Sequence, residues 1–265
     1  MTPRLVVVGG GRMGTALVRG LLSAGWYPGD VMVSEVDARR RAELAGELPG
    51  VAVVTEPAAA EGAVLAVKPG VAEEACGALK AAGVPRWLSI MAGIPLERLE
   101  AWAGPGVAVV RAMPNTPALV GAGMSAVSGG SGASPADLTW AEELLGAVGE
   151  VVRVPEAEID AVTGVSGSGP AYIFLVTEAL AEAGVAAGLA PEMSRQLARQ
   201  TVVGAGRLLA EPGADPASLR AQVTSPGGTT AAALAVLEEA GLRRAFASAV
   251  QAAAARSREM GMHGS

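Results

Sequence analysis

At 265 residues with 51% hydrophobic content, the chain has apolar mass for two folded cores. A formal charge of −6 and 3% aromatic residues leave neither a basic patch nor a stacking surface, which excludes nucleic acid as a partner. One cysteine, Cys76, and one histidine, His263, exclude an internal disulfide, a Ser-His-Asp triad and a histidine metal cluster, so no metal is expected.

The chain opens on Arg4-Leu-Val-Val-Val8, a β-branched strand, and runs into Gly9-Gly10-Gly11-Arg12-Met13-Gly14 and then an apolar-periodic helix. Gly9, Gly11 and Gly14 fit G-x-G-x-x-G in its strand-to-helix setting. Gly9 makes the tight turn, Gly11 lets the backbone approach a diphosphate, and Gly14 lets helix meet strand. Residues Gly9, Gly11, Arg12, Met13 and Gly14 are therefore expected to bind a dinucleotide. The start Met1-Thr-Pro-Arg4 lacks a signal-peptide layout, and no uninterrupted apolar run reaches the ~20 residues of a membrane span, so a cytoplasmic protein with no membrane partner is expected.

Strand and helix then alternate. Val31–Ser34, Val51–Val54, Ala63–Val67, Trp87–Met91 and Val107–Arg111 are short apolar runs of the kind buried on both faces of a parallel sheet. Met124–Ser128 and Val151–Val154 extend it, with a helix over 135–148 between them. Val67-Lys68-Pro69 closes the fourth run, and Lys68 is one of only two lysines beside eighteen arginines. It stands where such a sheet presents groups to its ligand. The only asparagine, Asn115, lies in Met113-Pro114-Asn115-Thr-Pro117, a rigid loop just past a strand and a place to hold a nicotinamide or its ribose. A surface lysine and a plain Asn turn are the alternative readings.

After Pro155 no convincing strand follows, only alanine-rich helical segments: 170–188, 191–209, 216–223, 229–239 and 242–260. The expected division is a Rossmann-type α/β domain over 1–155 and an all-α domain over 156–265. The 170–188 segment is apolar nearly all round, which calls for burial on every side and points to intertwining with a second copy. Val223-Thr-Ser-Pro-Gly-Gly-Thr-Thr230 leads straight into the apolar run Ala231–Leu237. Pro226, Gly227 and Gly228 stop what precedes them and leave the backbone bare at a helix start, whose first N–H groups favour a carboxylate or phosphate. Ser225, Thr229 and Thr230 add hydroxyls at the same point. An ordinary capped helix is the competing reading.

Together these segments resemble one family, the pyrroline-5-carboxylate reductases. The matching stretches are Gly9 to Gly14, Val67-Lys-Pro69, Ala92-Gly93-Ile94, Met113 to Pro117, Val165-Ser-Gly-Ser168-Gly-Pro-Ala-Tyr172 and, most specifically, Val223 to Thr230. They occur in the family's order along nearly the whole chain. The resemblance implies a Rossmann domain followed by a helical domain that interlocks with a second subunit, an active site shared across that interface, and L-proline as product. It also implies a homodimer, or a larger ring of dimers, acting on a small-molecule substrate.

In that reading a hydride passes to the carbon of the C=N bond, and the ring carboxylate docks on the N–H groups around Gly227, Gly228, Thr229 and Thr230 with help from Ser225. Thr230 is the first choice for a hydroxyl near the imine nitrogen. Ser168 and Tyr172 are candidates for the same pocket. Val67, Lys68, Pro69, Ala92, Gly93, Met113, Pro114 and Asn115 complete the expected cofactor site. For the cofactor itself, Ser34 stands about 20 residues beyond the last glycine where an acid would favour NAD. With Arg12, Arg39, Arg40 and Arg41 nearby, it points to NADPH, against which stand Glu35 and Asp37; NADH is the alternative. A β-hydroxyacid dehydrogenase would need a lysine or asparagine after Asn115, and the chain has neither. A non-catalytic nucleotide-binding scaffold would have no use for the second anion cradle.

Overall fold

The computed structural model describes residues 2–263, and the side chain of His263 lies outside the described residues. Eight strands, β1 (Leu5–Val8), β2 (Val31–Ser34), β3 (Ala52–Val54), β4 (Gly62–Leu65), β5 (Arg86–Ser89), β6 (Ala108–Met113), β7 (Gly123–Gly129) and β8 (Gly149–Arg153), form one sheet. Their order is β3-β2-β1-β4-β5-β6-β7-β8. Every neighbouring pair is parallel except β6 with β7. That exception follows from the connection, a single short turn over Thr116–Val120, too brief for a parallel crossover.

Alternation along each strand sends neighbouring side chains to opposite faces. Leu5, Val7, Val64, Leu88 and Val110 pack with Leu17 and Leu21 of α1 (Arg12–Ser23), Leu44 of α2 (Ala38–Glu47) and Leu144 of α5 (Pro135–Gly146). Val6, Val8, Leu65, Trp87 and Val109 face the other way, onto Cys76 and Leu79 of α3 (Ala72–Ala81) and Leu99 of α4 (Leu96–Ala103). Each fully buried Leu or Val contributes about 1.5–3 kcal/mol. Burial also pushes the Cys76 thiol up to about 12, with Glu73 adding to the shift. It is a small core residue.

Beyond β8 come α6 (Ile159–Val162), a π-helical turn (Thr163–Gly167), α7 (Gly169–Ala186), α8 (Pro191–Leu209), α9 (Pro216–Gln222), α10 (Thr229–Glu239) and α11 (Leu242–His263). By contacts the chain divides into Met1–Ser168 with Gln251–Ser265, and Gly169–Val250. In the first unit Glu156 crosses from the chain after β8 to accept from Leu96 N at 2.6 Å and from Arg111 at 3.0 Å. Ser257 of α11 donates to Asp160 at 2.6 Å. These bonds keep the segment past Pro155 with the sheet.

In the second unit α7 and α8 form a hairpin. Ser194 Oγ donates to Ala181 O at 2.6 Å, in space that a Cβ on Gly184 would occupy. Among the described residues of this unit only Ser194 and Ala198 are buried, while Phe174, Leu175 and Leu180 of α7 are exposed. The stretch Glu156–Ala186 is long and apolar enough by length and composition to cross a membrane. The run is not continuous, because Gly, Ser, Thr, Pro and single acids interrupt it while the Ala, Val, Leu and Ile around them keep the mean hydropathy high.

Candidate active site

Two helix starts, those of α1 and α10, differ from six others in the chain. α2, α5 and α9 are capped by the side chains of Asp37, Ser134 and Asp215, and α3, α4 and α8 carry a glutamate in the first turn. α1 and α10 have glycine at the N-cap, no capping side chain and no acid in the first turn. Their first amides are therefore left for a ligand that brings its own negative charge.

At α1, Gly9 adopts φ +104° and donates to Ser34 O at 2.8 Å, and a Cβ there would lie 2.6 Å from Ala66 O. A Cβ on Gly14 would collide with Gly9 O. Gly11, by contrast, faces open space, with no atom within 4 Å of where its Cβ would be. Its carbonyl accepts Thr15 N at 2.9 Å, which leaves the amides of Arg12, Met13 and Gly14 without a helical partner. Two of the three glycines are thus demanded by the protein's own packing and the third by nothing inside it. That combination fits a diphosphate lying against the turn.

At α10, Gly227 takes φ +70° and Gly228 N donates to Ser225 O at 3.0 Å, closing a turn. Ser225 Oγ packs where a Cβ of Gly228 would sit. Ala232 N returns to Gly228 O at 3.1 Å. Gly228 N–H, expected to meet the carboxylate, is engaged inside the turn. The open amides are those of Thr229, Thr230 and Ala231. Thr230 is half-buried; Ser225 and Thr229 are exposed.

Around the glycine loop several expected contacts are placed differently. Ser34 is buried and its hydroxyl donates to Thr55 O at 2.9 Å, so it is not offered to a ribose or phosphate. β2 ends one residue before Glu35, whose carboxylate accepts from Gly10 N at 2.9 Å and Asp37 N at 3.0 Å. Arg40 reaches Glu47 at 2.8 Å and Glu43 at 3.0 Å, and its bond to Glu47 holds that carboxyl below the usual range. Arg41 spends one nitrogen on Glu35 O and Val36 O, and Arg39 pairs with Glu43.

Farther along the sheet, β4 stops at Leu65, so Val67 to Pro69 form the loop after it, and Lys68 is exposed at the start of a short 3-10 turn. Gly93, at φ +75°, has its vacant Cβ position filled by Met260, 3.1 Å away, so this glycine serves α11 packing. Ala92 beside it is half-buried. Asn115 is used twice by the protein: Nδ2 donates to Ser166 O at 3.0 Å and Oδ1 accepts Met124 N at 2.8 Å. Met113 packs on Gly167, and Pro114 is buried.

These contacts join the loop after β6 to the π-helical turn, a feature with no signature in the residue pattern. π-turns recur at functional sites because they re-aim the residues around them. Here the turn ends at Ser168, half-buried, whose N–H reaches Thr163 O at 2.8 Å. Arg111, only 7% exposed in a buried strand, is the other unforeseen residue. A lone charge in an apolar run was the available signal, and its ion pair with Glu156 at 3.0 Å is the explanation.

Comparison with known proteins matches both halves. Residues 156–260 match the family model for pyrroline-5-carboxylate reductase dimerisation, and residues 4–93 match one described as NADP oxidoreductase, coenzyme F420-dependent. A pyrroline-5-carboxylate reductase from Synechocystis sp. is 44% identical over 98% of this chain and 99% of its own. One from Arabidopsis thaliana is 42% identical over 96% of this chain and 94% of its own. Among solved structures, a pyrroline-5-carboxylate reductase from Coxiella burnetii superposes with a TM-score of 0.92 at 36% identity, covering 98% of this chain and 99% of that one. The Plasmodium falciparum pyrroline carboxylate reductase with NADP bound gives 0.81 at 28% identity, covering 98% of each. The resemblance carried by Val223 to Thr230 thus extends over the full length, and the chain belongs to the pyrroline-5-carboxylate reductase family.

Proposed function

We propose that this protein reduces the C=N bond of 1-pyrroline-5-carboxylate to L-proline, the last step of proline synthesis. Reduced nicotinamide, when bound, supplies the hydride. The carbon of the imine takes it, the nitrogen takes the C=N electron pair, and the proton on nitrogen arrives from solution with the iminium form. A chain with one histidine needs no more acid than that. Residues 1–155 serve the dinucleotide, and 156–265 serve the substrate and the second copy.

The observation that carries this reading is the bare start of α10. Its uncapped amides suit the ring carboxylate, and no acid in the first turn competes for them. Thr229, Thr230 and Ala231 supply those amides, while Ser225 and Gly227 shape the turn that presents them. Thr230 orients the ring through its hydroxyl near the imine nitrogen. Ser168 belongs to the substrate pocket, and Met113 and Pro114 to the neighbourhood of the nicotinamide, with Asn115 holding their loop through Ser166 O and Met124 N. Positioning of this kind supplies most of the rate in a reaction whose hydride donor is a bound cofactor. The active unit is a homodimer, assembled further into a ring of dimers.

Purified protein is mixed with pyrroline-5-carboxylate and each reduced nicotinamide while the reduced-cofactor absorbance is followed. Stoichiometric loss of absorbance with proline formation is the expected result. No oxidation of either cofactor in the presence of the imine would refute the assignment.

A further inference from the structure

Resting on that function, we infer that Glu35 selects the cofactor, admitting a free adenosine 2′-hydroxyl and rejecting a 2′-phosphate, so that NADH is the preferred donor. In a Rossmann fold the first residues past the second strand lie beside the adenosine ribose. Here the strand ends at Ser34, and the next side chain, Glu35, bends back to the glycine loop and accepts Gly10 N at 2.9 Å. Its second oxygen takes Asp37 N at 3.0 Å. The carboxylate is fixed at both ends to backbone amides of the two loops that bound this site. An acid held there hydrogen-bonds ribose hydroxyls and repels a phosphate.

Three of the four nearby cations that would reverse this are committed, and the fourth, Arg12, is exposed at the first turn of α1, on the far side of the Gly10–Glu35 bond in sequence. Arg40 is held by Glu43 and Glu47, and its Nε donates to Gly10 O at 2.8 Å. Arg41 donates to the carbonyls of Glu35 and Val36 at 2.9 and 2.7 Å, binding the strand-to-helix loop from its own side. Arg39 is paired with Glu43 at 3.4 Å. Asp37, the cap of α2, adds a second acid to the same loop. Ser34, the residue that could have welcomed a phosphate, is buried with its hydroxyl on Thr55 O.

The test has a binding arm and a kinetic arm. Dissociation constants for NADH and NADPH are measured by nicotinamide fluorescence without substrate, then kcat/KM for each with pyrroline-5-carboxylate. Wild-type protein is expected to favour NADH by roughly tenfold or more in both. Glu35→Gln keeps an oxygen to accept the Gly10 amide and loses the charge. It should shift the NADPH-to-NADH ratio toward NADPH by roughly tenfold, chiefly through KM and the dissociation constant. Wild-type preference for NADPH, or a Glu35→Gln change that is equal for both cofactors, would overturn the inference while leaving the reductase assignment standing. Failure of both cofactors to reduce the imine would instead remove the assignment beneath it.

Discussion

The sheet unit and the helical unit of this chain solve the burial problem differently. Leu5, Val6, Val7, Leu65, Trp87 and Leu88 are completely enclosed by α1 to α5 within one chain. In Gly169–Val250 the buried residues are Ser194 and Ala198, and α7 presents Phe174 and Leu175 at 61% and 65% exposure. A helix that is apolar all round and bare in a single chain needs another surface to cover it. The match of 156–260 to a dimerisation domain supports a second copy as the source of that surface. The difference teaches where mutations will be felt: in folding for one unit, in assembly for the other.

The strongest test of that contrast is Leu175→Glu. A charge in the interface should leave the sheet folded yet shift the protein to monomers in light scattering, with reductase activity down about a hundredfold or more. A fully active dimer would break the comparison. Trp87→Ala should do the opposite. It removes the largest enclosed side chain and its bond to Val84 O at 2.9 Å, costing about 3–5 kcal/mol in urea unfolding without changing subunit number in the folded protein.

Smaller effects sharpen the comparison at the two bare helix starts. Thr230→Ala should lower kcat by roughly tenfold to a hundredfold with cofactor KM unchanged, and Thr230→Ser should restore most of it. Gly11→Ser has room for its side chain and would cap α1. It should leave thermal stability equal or a few tenths of a kcal/mol higher while raising the cofactor KM about tenfold, because the serine oxygen competes for the diphosphate's amides. The smallest effect is alkaline. With the Cys76 thiol raised from 9.0 to about 12, the unfolded chain ionises first, so stability falls as pH climbs between those values. Cys76→Ala should flatten that decline in unfolding midpoint against pH, and an unaltered slope would assign it to other groups.

The layout of elements was legible because each obeys a local rule. β-branched runs gave the strands, and Gly or Pro marked their ends. α8 and α10 begin and end where proline, glycine and periodicity place them. What the sequence could not disclose is where a side chain spends its hydrogen bonds. Ser34 looked like a phosphate partner, but its direction is set by Thr55, 21 residues away, once β2 and β3 pair. Asn115 looked like a ligand contact, yet its donor goes to Ser166, 51 residues on. Gly93, a candidate for cofactor backbone, also makes room for Met260, 167 residues on. Long-range partners of this kind leave no periodic trace. The glycines at the two helix starts were readable for the opposite reason, since an N-cap is decided by adjacent residues alone.

A crystal of the protein with oxidised nicotinamide dinucleotide and proline, the abortive product complex, tests the central claim most directly. The diphosphate should lie on the amides of Arg12, Met13 and Gly14, and the proline carboxylate on those of Thr229, Thr230 and Ala231 with the ring nitrogen near the Thr230 hydroxyl. A carboxylate held by side-chain cations away from the start of α10 would contradict the account.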